Sequence, residues 1–362
     1  DTLESLKSFG TIRYKTCKKR KIAVTGSFGK TGMKEMLKCV FGKNERVYAT
    51  DGNKHNELGV ALTGCGIDDE ADTVIIELGS NNMGEIPALS KTVMPDIAVV
   101  TTVGHAHIGR FGTIERIIFE KLSVTDGLSE KGRLIIPQKL KPFVPKGDYA
   151  FYTFGEAESA SVYMTEFSHK SDYILFKTNI DDTEYRINHP YIHVAKNSLG
   201  AIMAALTAGM KSRDIAAGLA EYKVLKGHGS VEKAGDILLI DDTYNAGFES
   251  FIEAAASFDK INSDEKFAVF GEMGEIEGYE RNFYSEIASL SHEYPDINFY
   301  LCGKSYEEAK ELKNCKVFLS KEECMEAVKK ISRGALLIKA SRSCRFEDIA
   351  DIVREEGKKN AV

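Results

Sequence analysis

The chain has 362 residues and a formal net charge of -6. That length suits two or three domains, and the acidic balance leaves no basic footprint for a nucleic-acid partner. Seven scattered cysteines form no CxxC pair and read as reduced thiols, not as a disulfide framework or a zinc site; no apolar run approaches the ~18 residues of a membrane span, so the expectation is a cytoplasmic protein without membrane insertion.

Residues 1–20 read as a helix and a linker, and the KKRK cluster at 18–21 reads as solvated. The stretch IAVTGSFGKT at 22–31 then combines a β-branched strand, a Gly-x-x-Gly-Lys-Thr turn and a helix-forming run, MKEMLKCVFG. This order predicts a phosphate cradle. Gly26, Ser27 and Gly29 bring backbone N–H groups close to anionic oxygens, and the helix N-terminus adds positive potential. Lys30 reaches toward β- and γ-phosphates, and Thr31 offers a hydroxyl to Mg²⁺. The spacing is shorter than the GxxxxGK[ST] pattern.

The apolar runs VIIELG (74–79) and IAVVTTV (97–103) alternate with helical patterns, which predicts a parallel α/β sheet. Glu77 ends the first of these strands, where ligands of open α/β sheets bind, and offers hard oxygen donors to Mg²⁺. The following loop, TTVGHAHIGRFGT at 101–113, carries His105 and His107. Spacing alone leaves these two open between ordinary loop histidines and a metal ligand or proton acceptor. Residues 133–190 are rich in Tyr, Phe, Thr and Ile with short alternations, which predicts a small antiparallel β insertion. Ala-rich helices follow at 195–222. A second α/β unit begins near 223, with strands at 237–241, 267–271, 297–302 and 335–339.

Two strand ends in this second unit are loaded with polar groups. LLIDDTYNAG at 238–247 carries Asp242, Tyr244 and Asn245, and LLIKASRS at 336–343 carries Lys339, Ser341 and Arg342. The first suits a ribose or an Asx turn, and spacing does not decide between them. The second suits an anionic group or a plain charged loop. The expected fold is thus α/β throughout. A P-loop-type parallel-sheet ATPase domain spans 1–222 and contains the β insertion; a Rossmann-like α/β domain spans 223–362.

Taken in order, VTGSFGKTGMKEML, GNKHNELGV, ELGSNNMGEI, PDIAVVTTVGHAHIGRFGT, the helix of Lys121, IDDTYNAG, GEMGEIEGYE and IKASR resemble the Mur ligase family, and its MurF type most. The resemblance runs from about residue 22 to 350. It implies an ATP-dependent ligase that activates a carboxylate as an acyl phosphate for attack by an amine, with small-molecule acid and amine substrates of peptidoglycan or cell-surface biosynthesis. It assigns Lys30 and Thr31 to phosphate and Mg²⁺, and Glu77 and His107 to the metal. Lys121 falls where the family carries a carbamylated lysine, which turns a cation into an oxygen-donor metal ligand. Asn197 matches an adenine contact, and Asp242 a ribose contact with Tyr244 and Asn245 beside it. Substrate contacts are implied for Asn53, Asn56, Asn81, Lys339, Ser341 and Arg342.

The chain also departs from the family pattern. DTLESL resembles the linker after the family's N-terminal UDP-gripping domain, so the expectation is a chain lacking that domain, either a monomer or part of a larger polypeptide. Val194 stands for an Asn, His228 for an Arg, Gly247-Phe248 for Asn-Pro, and Ala340 for a Gly. These changes bear on the second domain and on the substrate. They keep open a paralogue acting on another acid and a nucleotide-binding partner subunit.

Overall fold

The run RKIAVT forms strand β1 (Arg20–Thr25) in the computed structural model, which describes residues 2–170 and 172–359. Ile22, Ala23 and Val24 are fully buried, as expected of a parallel strand covered on both faces. Strands β2 (Val47–Ala49), β3 (Thr73–Glu77), β4 (Ile97–Val100), β5 (Arg133–Pro137) and β6 (Ala150–Phe154) join it in the parallel order β2-β3-β1-β4-β5-β6. Arg20 and Lys21, read from sequence as linker, begin β1. Arg20 bonds Glu45 at 2.7 Å and Lys21 N bonds the Asp96 carboxylate at 2.9 Å.

The helices of this first unit are α1 (Thr2–Thr16), α2 (Lys30–Phe41), α3 (Glu57–Cys65), α4 (Glu85–Val93), the second half of the single turn α5 (Ile108–Phe111), α6 (Ile114–Leu122), α7 (Ile192–Thr207) and α8 (Ser212–Glu221). Helix α2 buries Met33, Met36, Leu37, Val40 and Phe41, one stripe at 3.6-residue period. That stripe fixes which way its N-terminus points, and so where the glycine turn lies. Asn56 caps α3 by accepting from Gly59 N, and Thr113 caps α6 by accepting from Arg116 N.

The β insertion is smaller than the span 133–190 predicts. β5 and β6 continue the main parallel sheet. Only β7 (Met164–His169), β8 (Ile174–Thr178) and β9 (Tyr185–Ile187) form a separate antiparallel sheet. The aromatic composition of YAFYTF belongs to an edge strand whose outer half is exposed, and composition alone does not separate that from a small antiparallel sheet.

The second unit comprises Val224–Val362 with the short segments His105–Gly109 and His189–Tyr191. Its strands are β10 (Ser230–Ala234), β11 (Ile237–Asp242), β12 (Lys266–Phe270), β13 (Ile297–Cys302), β14 (Cys315–Phe318) and β15 (Gly334–Lys339). They lie in the order β10-β11-β15-β12-β13-β14. β10 pairs antiparallel with β11, and the other pairs are parallel. Helices α9 (Phe248–Asp259), α10 (Glu280–Glu293), α11 (Lys321–Val328) and α12 (Glu347–Lys359) complete it. The sequence reading lacks β10 and β14. Both are edge strands with partly exposed faces, so neither shows a continuous apolar run.

Candidate active site

In the first unit the glycine turn follows β1 directly. Gly26 has φ 143°, and a Cβ there would meet Thr101 Oγ at 2.1 Å, so only glycine fits. Ser27 N donates to Thr102 O at 2.8 Å, and Ser27 Oγ donates to Gly104 O at 3.0 Å. Gly29 has φ 77° and precedes α2 without any side-chain cap. The first amides of α2 are thereby left for an anion. Lys30 Nζ donates to the carbonyls of Gly26 and Ser27 at 2.9 and 3.0 Å. Desolvation lowers its pKa, against the pull of Glu77. Asn197, on α7, donates through Nδ2 to Gly29 O at 3.3 Å.

Thr31 Oγ donates to Glu77 Oε1 at 3.2 Å. Glu77 is only 1% exposed, and its backbone N donates to Thr50 Oγ. Its second oxygen, Oε2, is buried without a hydrogen-bond partner. Burial alone would raise this carboxyl, but His55, Lys30 and Lys34 outweigh it and hold the pKa below the ordinary value. His55 Nδ1 lies 3.1 Å from Glu77 Oε1, close enough for ion pairing but not aligned as a hydrogen bond. An ionised carboxylate with an orphan oxygen beside a threonine hydroxyl fits a hard divalent cation. Among the described residues no three His, Cys, Asp or Glu side chains converge on one point. An ion here would therefore take few protein ligands and keep waters or phosphate oxygens, as Mg²⁺ does.

Lys121 is only 2% exposed, although lysines are almost never fully buried. Its Nζ donates to Ser80 Oγ at 2.6 Å and lies 5.7 Å from the Phe111 ring centre. Burial, then repulsion from Lys30, pushes its pKa down to about 7. The substrate candidates in this unit differ in availability. Asn53 and Asn81 are exposed. Asn56 is exposed too, but its side-chain oxygen is engaged as the cap of α3.

In the second unit, the register of β11 against β15 sets Asp242 beside Lys339. Lys339 Nζ donates to Asp242 Oδ2 at 2.6 Å and to Asn245 O at 3.3 Å. Lys339 is 2% exposed, and its ammonium is paired with Asp242. Tyr244 stacks on His228 with centroids 4.1 Å apart, and the Arg342 guanidinium lies 5.7 Å from the Tyr244 ring. Asn245 is exposed, and Ser341 N donates to Glu272 O at 3.1 Å. The loop histidines both sit against carboxylates of this unit: the His105 ring meets Glu249 and the His107 ring meets Glu275. The His107 ring is thus engaged by Glu275. His189 is buried, its Nε2 donating to Gly229 O at 2.7 Å and its Nδ1 accepting from Tyr191 N at 3.0 Å.

The sequence reading missed His55, Thr50 and Ser80, which touch Glu77 or Lys121, and Glu120, the buried neighbour of Lys121 on α6. Their only signal is nearness to motifs already found.

A model of the Mur ligase middle domain matches residues 24–205. The UDP-N-acetylmuramoyl-tripeptide–D-alanyl-D-alanine ligase of Bacillus subtilis is 28% identical over 96% of this chain and 79% of its own length. The ligase of the same name from Treponema pallidum is 29% identical over 98% of this chain and 79% of its own. Among solved structures, MurF from Acinetobacter baumannii superposes with a TM-score of 0.90 at 27% identity, covering 98% of this chain and 81% of that one.

Proposed function

The chain belongs to the Mur ligase family, and from that membership we propose that it is the ATP-dependent ligase that joins D-alanyl-D-alanine to a UDP-N-acetylmuramoyl tripeptide. A carboxylate oxygen of the tripeptide attacks the γ-phosphorus of ATP. The bond to the bridging oxygen of ADP breaks, and an acyl phosphate forms. The dipeptide amine attacks the acyl carbon, loses a proton, and the tetrahedral intermediate expels phosphate to leave the amide. Such a reaction needs positioning and charge neutralisation at the phosphoryl group. The turn of Gly26, Ser27 and Gly29 and the first amides of α2 cradle the phosphates, and Lys30 turns from the loop carbonyls to the β- and γ-phosphates. Thr31 and Glu77 would hold Mg²⁺, with His107 as a further candidate ligand. Bound there, the ion would neutralise charge that develops on the transferring oxygens.

With its pKa near 7, Lys121 is substantially a free amine at neutral pH, the form that takes up CO₂. This supports a carbamate at Lys121 as an added oxygen donor. Asn197 serves the adenine, while Asp242, Tyr244 and Asn245 serve the ribose side. Asn53, Asn56 and Asn81 face the acid substrate, and Ser341 and Arg342 face the amine, with Lys339 acting through Asp242. The change of compact unit after Lys223 supports domains at 1–222 and 223–362. No helix among the described residues is long and apolar enough to cross a membrane. The seven free thiols support a reducing, cytoplasmic setting.

The observation that carries this reading is the orphan oxygen of buried Glu77 beside Thr31 and the glycine turn. The test is ADP release from ATP with UDP-N-acetylmuramoyl tripeptide and D-alanyl-D-alanine, with mass detection of the amide. Release that requires both substrates is expected. Release that is indifferent to either, with no amide formed, overturns the reading.

A further inference from the structure

Glu120 is buried, 1% exposed, and sits beside Lys121 on α6. Both of its carboxylate oxygens are engaged by backbone: Gly84 N donates to Oε2 at 2.7 Å, and Ile86 N donates to Oε1 at 2.7 Å. These are N–H groups at the start of α4, where a helix has amides without intrahelical partners and favours negative charge. Lys121 meanwhile takes hold of the other end of the same loop through Ser80 Oγ at 2.6 Å. Two adjacent residues thus clamp the loop 79–84 at both ends. Gly84, with φ 88°, lets the chain turn into the carboxylate. Between the clamped points Asn81, Asn82 and Met83 are exposed, four to six residues beyond Glu77.

We propose that Glu120 is a positioning residue of the ligase, which fixes loop 79–84 against Lys121 so that the loop presents Asn81 to the acid substrate. The inference rests on the reading of Asn81 as an acid-substrate contact. Glu120 makes no hydrogen bond to the glycine turn; its carboxylate oxygens go to Gly84 N and Ile86 N. A carboxylate is required because both partners are donors. An amide in its place would oppose one N–H with another donor.

The test compares the 362-residue chain with its Glu120→Gln, Asn81→Ala and double variants. Three quantities are measured: the KM for UDP-N-acetylmuramoyl tripeptide, the Kd for ADP, and amide hydrogen exchange at residues 84 and 86. For Glu120→Gln the expected result is a KM raised about tenfold, an unchanged Kd for ADP, and exchange at 84 and 86 at least tenfold faster. In the double variant the KM should rise no further than in the worse single variant, because both changes act through one loop. A merely structural role would give additive effects. Additivity, or an unchanged KM in Glu120→Gln, overturns the proposal. If the wild-type chain does not turn over the UDP-tripeptide, the substrate reading fails by itself. The proposal then fails with it as regards the acid, while exchange at 84 and 86 still reports whether Glu120 holds the loop; unchanged exchange shows that it does not. Should Glu120→Gln fail to fold by circular dichroism, Glu120→Asp keeps the charge one methylene short and is expected to show the same signs in smaller measure.

Discussion

Lys30 is the residue on which the phosphate chemistry turns. Its hydrogen bonds go to two carbonyls of its own loop, so removing the side chain breaks no distant hydrogen bond. Lys30→Ala should therefore melt close to wild type while losing turnover. One preorganised charge at a developing anion is worth roughly 3–4 kcal/mol by comparison with oxyanion-hole deletions, or about 10²–10³ in rate. Phosphate release within tenfold of wild type from the purified variant would contradict the role. A second residue-scale prediction concerns His189. Burial, only partly offset by its bond to Gly229, pushes its pKa down from 6.5 to about 4. Between those values the unfolded chain binds a proton that the folded chain refuses, so stability is present above pH 6.5 and is lost as the pH falls toward 4. The gap corresponds to about 3 kcal/mol. His189→Gln keeps a donor for Gly229 O without the titration, so its stability should fall less over that window, by about 2.4 kcal/mol in urea unfolding between pH 7 and 4.5. Parallel curves for the two proteins would show that His189 titrates normally.

At the scale of elements, the turn between β1 and α2 has the least freedom. A methyl at Gly26 would sit 2.1 Å from Thr101 Oγ, and that hydroxyl donates to Phe28 O within the same loop. Gly26→Ala must move Thr101 or the loop. The expected cost is about 1–3 kcal/mol of stability from overpacking. Nucleotide affinity should drop far more, by about a hundredfold, since displacement of a positioned group by about 1 Å is enough for that. Titration with a fluorescent ADP analogue and a thermal melt separate the two effects; equal losses in both would mean that the turn has no special part in binding.

The elements that the sequence made legible are those whose chemistry is local. IAVTGSFGKT carries its strand, its turn and its helix start within ten residues, and β11 and β15 end in recognisable polar loops. What stayed hidden depends on distant partners. The burial of Lys121 is set by Ser80 and Phe111. The engagement of Lys339 follows from a strand register linking positions 97 residues apart. β5 and β6 read as an insertion because a parallel edge strand and a small antiparallel sheet share one composition.

For the molecule as a whole, each unit has a core of its own. Ile22, Val24, Ile75, Ile76 and Val99 are buried in the first, and Leu239, Val269, Leu336 and Ile338 in the second. A single unfolding free energy is then not a defined quantity, and calorimetry should resolve two transitions. The Asp242–Lys339 pair allows the second to be moved alone. Asp242→Ala leaves the buried Lys339 ammonium without its carboxylate, which costs about 3–5 kcal/mol. That should lower the second unit's transition by roughly 10 °C while the first stays in place. Removing both charges, Asp242→Ala with Lys339→Met, takes away the unpaired ion and should recover most of the lost stability. Nucleotide affinity should not recover with it, because the proposed ribose contact is still missing. Stability and affinity returning together in the double variant would assign Asp242 a purely structural role. Affinity that stays low once the melt is restored would assign it to the ligand.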